Sequence, residues 1–329
     1  MKIVITGATG FLGSRLLERL AAESPAGTEL VGVGRTLKPQ STVEHPLVRY
    51  ELGDLADASF VNRILHGADK VVHAAALSAQ MGPPSAFERA NVLVTRHVVQ
   101  ACSEQGVQRM VMISSPSVYF QFKDQTNIQE SDPLPPPINV YARTKREAER
   151  VVQSSEVPHV ILRPRALIGR GDTVILPRVI RAHREGKLRR MGTLQNLVDL
   201  TPVSNVVDAI LLGLDADESA LNRVYNICNG NPVQLWPLLD DVFKRLGLEP
   251  VAKSIPIHVA KGIAQLLEWH AKYLNGHKEP ALTVYGIGTL TKTFAMDISE
   301  ARQRLGYEPR QTVEEAIQEF IDWHKSTAP

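Results

Sequence analysis

Short apolar runs alternate with amphipathic stretches through the first half of the chain, and they predict strands and helices in turn. Lys2-Ile3-Val4-Ile5-Thr6 is apolar without alternation, which suits a parallel strand covered on both faces. Ser14-Arg15-Leu16-Leu17-Glu18-Arg19-Leu20 has the apolar spacing of a surface helix. Glu29 to Gly34 predicts a second strand and a third precedes Gly53; Val71 to Ala76 and Val107 to Ile113 predict a fourth and a fifth. The alternation continues to about Leu162, the signature of an α/β fold built on a parallel sheet. Beyond Arg163-Pro164-Arg165-Ala166-Leu167-Ile168-Gly169 the pattern shifts to longer helices and basic turns. Two regions are therefore expected, 1–165 and 166–329, with a part at about 200–230 returning to the main sheet through the strand Val224 to Cys228.

The turn after the first strand carries chemistry. Thr6-Gly7-Ala8-Thr9-Gly10-Phe11-Leu12-Gly13 places glycines three apart between a strand and a helix. Glycines let the backbone turn tightly and approach a pyrophosphate, and the helix N-terminus offers free N–H groups to its oxygens. The spacing has one residue more between its first two glycines than the common dinucleotide fingerprint. Gly7, Thr9, Gly10, Phe11, Leu12 and Gly13 are expected to hold the cofactor of a Rossmann-type doubly wound domain. The second strand ends at Arg35, where a carboxylate would grip the adenosine ribose; arginine offers a bidentate donor to a 2′-phosphate instead. NADP(H) is the expected cofactor and NAD(H) the alternative. Asp54, followed by Leu55, is placed to accept from the adenine amino group, and Ala74, Ala75 and Ala76 are small enough for the backbone to lie against the cofactor. His73 reads as a packed strand-end residue.

Ser114 and Ser115 end the fifth strand, where ligands of doubly wound sheets bind. Tyr141-Ala142-Arg143-Thr144-Lys145 puts a phenol and an ammonium one helical turn apart on one face. Hydride delivery to a ketone leaves a developing alkoxide that needs a proton donor and a hydrogen-bond donor. Tyr141 can supply the proton, although a free phenol has a pKa of about 10. A nearby cation lowers that value, so Lys145 is expected to activate Tyr141, and Ser115 to hold the oxygen.

Composition narrows the remaining classes. With 37 basic and 35 acidic side chains, no electrostatic case exists for a nucleic-acid partner. Cys102 and Cys228 are far apart, which suits free thiols in a cytoplasmic protein and no metal site. No apolar stretch approaches the roughly 20 residues of a spanning helix, and Met1 leads directly into the first strand, so neither a transmembrane segment nor a signal peptide is expected. Asp132-Pro133-Leu134-Pro135-Pro136-Pro137 reads as a stiff spacer before Tyr141.

Taken in order, Thr6 to Gly13, Asp54, His73 to Ala76, Asn91, Ser115, Tyr141 and Lys145 resemble the extended short-chain dehydrogenase/reductases over nearly the whole chain. That resemblance implies a Rossmann domain, a smaller and mostly C-terminal substrate-binding domain, and a Ser-Tyr-Lys catalytic set. It extends the cofactor contacts to Asn91, Pro164 and Arg165. Pro116-Ser117 follow Ser115 where sugar dehydratases of the family carry acidic residues, which counts against dehydration. Val198 stands where its sugar-nucleotide epimerases place a pyrophosphate-gripping arginine. Asn196-Leu197-Val198-Asp199, Gly169-Arg170-Gly171-Asp172 with Leu176-Pro177, and Asp297-Ile298-Ser299 look more like the 3β-hydroxysteroid dehydrogenase branch, which includes reductases of long-chain β-keto acids.

The expected function is therefore NADP(H)-dependent hydride transfer to or from a secondary alcohol or ketone on a bulky apolar substrate. A nucleotide-sugar epimerase with bound NAD is the alternative within the family. A non-catalytic NADP(H)-sensing or scaffold protein is the alternative outside it, and a homodimer is a family expectation. Ile255 to Leu274 predicts a helix that either packs plainly, covers the substrate or touches a membrane, and Arg178, Arg181, Arg184, Arg189 and Arg190 read as a solvated face from which one member could meet a carboxylate or phosphate.

Overall fold

The computed structural model describes residues 1–327 of the 329. Seven strands form its main sheet, and all seven run parallel. In chain order β1 (Lys2–Thr6), β2 (Glu29–Gly34), β3 (Val48–Leu52), β4 (Lys70–His73) and β5 (Arg109–Ile113) build most of it. The small strand β6 (Gln125–Ile128) lies elsewhere, and β7 (His159–Pro164) rejoins the sheet. Four more strands follow, β8 (Leu167–Ile168), β9 (Leu197–Val198), β10 (Thr201–Pro202) and β11 (Arg223–Ile227), with β12 (Val233–Gln234) and β13 (Phe294–Met296) last. The order across the main sheet is β11-β7-β5-β4-β1-β2-β3. Chain direction through the sheet reverses between β1 and β4, which opens a crevice at their carboxyl ends.

Alternate strand residues face opposite layers, as the pleat requires. Ile3, Ile5, Leu30, Val72, Val111 and Val160 pack against the helices Phe11–Glu23 and Val203–Leu214. Val4, Val31, Val71, Met110 and Ile161 pack against Ala58–Leu65, Val94–Glu104 and Val140–Gln153. A buried aliphatic side chain contributes about 1.5–3 kcal/mol, so these two layers fix the sheet. Asp57 caps the second helix, accepting from Ser59 N at 2.9 Å, and Asn139 caps the helix that carries Tyr141, accepting from Ala142 N at 2.8 Å.

The smaller lobe gathers β12-β9-β13-β6 into a second sheet, and its own core holds Trp236, Phe243 and Phe320. Val198 lies in that core, paired in register with Phe294. The helix expected from Ile255 starts at Ile257: Pro256 stands before it in extended backbone and disfavours helical backbone at Ile255. Its buried positions are Ala260, Ala264 and Ala271, whereas Val259, Ile263, Leu266, Trp269, Tyr273 and Leu274 are 42–66% exposed. Plain packing of its large side chains is thus not what the structure contains. Among the described residues no helix is long and apolar enough to cross a membrane.

Candidate active site at the strand ends

The glycine turn is built by close backbone approach. Gly7 has φ +74°, and a Cβ there would sit 2.8 Å from Ala75 N. At Gly13 a Cβ would come within 2.3 Å of the Gly7 carbonyl oxygen. Gly10 differs, since its Cβ would meet only that same oxygen at 3.2 Å. Gly10 caps the helix Phe11–Glu23 without any side-chain cap, so the first-turn N–H groups of Phe11, Leu12 and Gly13 point outward unclaimed by a side chain. Thr9 lies against Gly34, and the exposed Arg35 follows at the end of β2. These residues fit a dinucleotide: small groups where its diphosphate must approach, donors aimed at it, and a cation at the ribose end. Asp54 accepts from Ala56 N at 2.9 Å and pairs with Arg89 at 2.6 Å, both of which hold its carboxyl below the usual range. Leu55 is buried in the core.

His73 is structural in a specific way. Thr95 Oγ1 donates to the Asn91 carbonyl at 2.6 Å, so it accepts from His73 Nε2 at 3.0 Å. Ala75 N donates to Thr6 Oγ1 at 3.2 Å, and Thr6 Oγ1 in turn donates to His73 Nδ1 at 2.8 Å. That chain fixes the Nε2–H tautomer. Burial, with Lys145 a smaller cause, pushes the imidazole down to about 3.

Asn91 sits in a π-helical turn, Glu88–Leu93, a feature common near functional sites. Its Nδ2 donates to Leu77 O at 3.2 Å and to Thr144 Oγ1 at 3.0 Å, while Leu77 N donates to its Oδ1 at 2.7 Å. Both amide donors are engaged within the protein, so the side chain ties the loop after β4 to the helix Val140–Gln153.

Three consecutive residues at the end of β5 meet three residues on that helix. Lys145 Nζ donates to Ile113 O at 2.6 Å, Ser114 Oγ donates to Glu149 Oε1, and the Ser115 hydroxyl faces the Tyr141 phenol. Ser115 Oγ also donates to Ser117 Oγ at 3.0 Å and accepts from Ser117 N at 3.2 Å. Burial raises the Tyr141 phenol, and the hydroxyls of Ser115 and then Ser78 oppose it. The Lys145 ammonium is turned to the Ile113 carbonyl in this arrangement. Burial lowers Lys145 itself to about 8, with Glu149 pulling the other way.

Behind Lys145 lies an ion pair with no obvious mark in the sequence. Arg163 Nε and Nη2 donate to the two oxygens of Glu149 at 2.8 and 2.6 Å. Arg163 also donates to the Tyr119 hydroxyl, which donates to Asn226 Oδ1 at 3.0 Å on β11. Pro164 follows at the end of β7, opposite Ile227. Arg165 turns the other way and lies over the Phe294 ring at 4.3 Å in the smaller lobe. Phe120, next after the turn that Ser115 caps, stacks on Phe294 at 6.2 Å and meets Tyr285 edge-on at 4.9 Å.

A parallel doubly wound sheet, a glycine turn at its switch point, a serine just past a strand end and a tyrosine and a lysine on the helix seated against it define a dinucleotide-dependent oxidoreductase. The model of the NAD dependent epimerase/dehydratase family matches residues 3–228, and the chain belongs to that family. A 2-alkyl-3-oxoalkanoate reductase of Shewanella oneidensis is 32% identical, covering 95% of this chain and 84% of its own. A 3beta-hydroxysteroid-dehydrogenase/decarboxylase (isoform 1) of Arabidopsis thaliana is 31% identical, covering 97% and 78%. Among solved structures, MoeE5 in complex with UDP-glucuronic acid and NAD superposes with a TM-score of 0.77 at 27% identity over 100% of both chains.

Proposed function

We propose that this oxidoreductase uses NADP(H) to transfer hydride to or from a secondary alcohol or ketone on a bulky apolar substrate, steroid-like or a long-chain β-keto acid. The observation that supports this reading is the set Ser115, Tyr141 and Lys145 gathered at the end of β5, two strands from the one that leads into the glycine turn. Bound there, the nicotinamide would give or take the hydride. Gly7, Thr9, Gly10 and the first-turn N–H groups of Phe11 to Gly13 would hold its diphosphate, Arg35 the 2′-phosphate, and Asp54 and Leu55 the adenine end. Ala74 to Ala76 and Pro164 would line its path. In the reductive direction Tyr141 gives its proton to the carbonyl oxygen as the carbon receives hydride, and Ser115 donates a hydrogen bond to that oxygen. Lys145 supplies positive charge to the phenolate left behind. Burial keeps Tyr141 protonated through neutral pH, which suits a proton donor.

The substrate class is supported by the kinship with reductases of 2-alkyl-3-oxoalkanoates and with steroid dehydrogenases. Val198, buried in the smaller sheet, supplies no pyrophosphate grip, which argues against a nucleotide sugar. Titrating the purified protein with NADPH and NADH by nicotinamide fluorescence, with Arg35→Ala alongside, tests the cofactor half. Tight NADPH binding that the variant loses is the expected result, and preference for NADH overturns it. Turnover of apolar ketones by wild type and Tyr141→Phe tests the other half, with a loss of about 10²–10⁴-fold expected. A homodimer in a cytoplasmic setting belongs to the same proposal, and light scattering reads the subunit number.

A further inference from the structure

Arginines buried in proteins find acceptors, because an unpaired buried charge costs several kcal/mol. This chain shows both the rule and an exception, two residues apart. Arg163 has its guanidinium bonded to Glu149 and Tyr119. Arg165 is only 7% exposed, yet among the described residues its guanidinium makes no hydrogen bond and no ion pair, and Nε is buried without a partner. Its main chain is firmly placed: its N–H donates to Ile227 O at 3.0 Å, and its carbonyl accepts from Thr201. Its guanidinium carbon lies over the Phe294 ring, 4.3 Å from the centroid.

A second unpartnered group lies on the segment whose Val198 pairs with Phe294. Phe294 pairs with Val198, and exposure alternates along that segment: Asn196 is 4%, Leu197 37% and Val198 3% exposed. Asn196 and Val198 therefore face the side on which Phe294 lies, by the two-residue period of extended chain. Neither Oδ1 nor Nδ2 of Asn196 has a partner. Asp199 is the acidic residue whose field reaches Arg165; the two form no ion pair, one Asp199 oxygen accepts from Met296 N at 2.7 Å, and the other is buried without a partner.

The place of Arg165 relates it to the site already described. Ile113 and Leu162 are paired in register, so Ser115 and Pro164 lie side by side beyond them, with Arg165 next. Phe120, which follows the turn capped by Ser115, stacks on the same Phe294 ring that Arg165 covers. The arginines of the basic segment are used differently, since Arg190 pairs with Asp240 at 2.6 Å and Arg178 with Glu279.

We infer that Arg165, assisted by Asn196, receives a carboxylate carried by the substrate, so that the enzyme takes keto or hydroxy acids in preference to their neutral esters. This rests on the proposed reduction at Ser115 and Tyr141 and narrows its substrate class. A planar guanidinium fixed on an aromatic ring offers a carboxylate two parallel N–H donors, and an amide adds a third. A phosphate of the cofactor would be the other anionic source, and the test separates the two.

The test compares 3-oxododecanoate with its methyl ester as substrates, and dodecanoate with methyl dodecanoate as ligands of the enzyme loaded with NADP+. Wild type is expected to prefer each acid at least tenfold, a comparison that needs no variant. Arg165→Met should lower the ratio of acid to ester kcat/KM tenfold or more, with NADPH affinity measured alongside to separate a substrate contact from a cofactor contact. Equal handling of acid and ester by wild type overturns the inference while leaving ketone reduction intact. Weakened NADPH binding by Arg165→Met with acid preference retained also overturns it and assigns the arginine to the cofactor. If neither ketone is reduced but dodecanoate binds in an Arg165-dependent manner and its ester does not, the carboxylate site stands and the proposed reduction falls.

Discussion

Glu149 and Arg163 face each other beneath the candidate site through two hydrogen bonds of 2.8 and 2.6 Å, with both side chains almost wholly removed from water. Glu149 lies one turn beyond Lys145, which lies one turn beyond Tyr141, so the pair anchors the helix that presents both. Removing one partner strands a buried charge. Glu149→Ala should therefore cost about 3–5 kcal/mol, whereas replacing both residues by apolar ones of similar volume should cost less. Urea midpoints of the two variants check this, and equal losses would show that the pair contributes nothing as a pair.

Gly10 separates folding from binding. Its φ of −95° suits any residue, and an added methyl meets only one oxygen at 3.2 Å. Gly10→Ala should leave the thermal midpoint nearly unchanged and weaken dinucleotide binding at least tenfold. Gly13→Ala, whose methyl would strike backbone at 2.3 Å, should destabilise by roughly 1–3 kcal/mol or more. Melting curves with and without NADPH distinguish the two outcomes.

Lys145 should set a pH limit on the proposed turnover. Its ammonium is lowered to about 8 by burial, so it is charged below that pH and neutral above it. Reduction that needs this cation should be steady at neutral pH and fall on the alkaline side of about 8. A pH–rate profile reads the limb, and Lys145→Arg should carry it upward, since arginine keeps its proton. An alkaline limb that stays where it was in the variant would assign it to another group.

His73 makes the opposite kind of demand, on stability. Its folded value is about 3 against an ordinary 6.5, so the unfolded chain binds the extra proton between those values. Stability is fully present above pH 6.5 and is lost as pH falls from there toward 3. His73→Gln should flatten that slope. Urea midpoints at pH 7 and pH 4.5 for both proteins measure it, and parallel slopes would acquit the histidine.

Much of this organisation was legible where chemistry is local. Glycines between a strand and a helix, and a tyrosine four residues before a lysine, act through neighbours in the chain, and their periods survive in the sequence. The helix Phe11–Glu23 begins earlier than Ser14 because Phe11 and Leu12 complete its first turn, which apolar spacing alone does not mark. The partners of Lys145, Asn91 and Arg163 were not legible, since Ile113 O, Leu77 and Glu149 are chosen by how the helix seats on β5 and the loop after β4. Ser78 gave no signal at all, lying in an irregular segment that only the fold brings to Tyr141. The inner face of Ile257–Leu274 was not legible either, because alanine carries little apolar area and the large side chains that dominate the pattern lie outside.

That last helix has a consequence for handling the protein. Its buried contacts run through Ala260, Ala264 and Ala271, with Ile257 packed beside them and Glu268 accepting from Val284 N, so the exposed Leu266, Trp269, Tyr273 and Leu274 add little to the hold. Leu266→Gln with Tyr273→Gln should change unfolding free energy by no more than about 0.5 kcal/mol per site. The same two changes should raise the concentration at which the protein stays clear in dilute salt, because one sticky ridge then governs shelf life rather than fold.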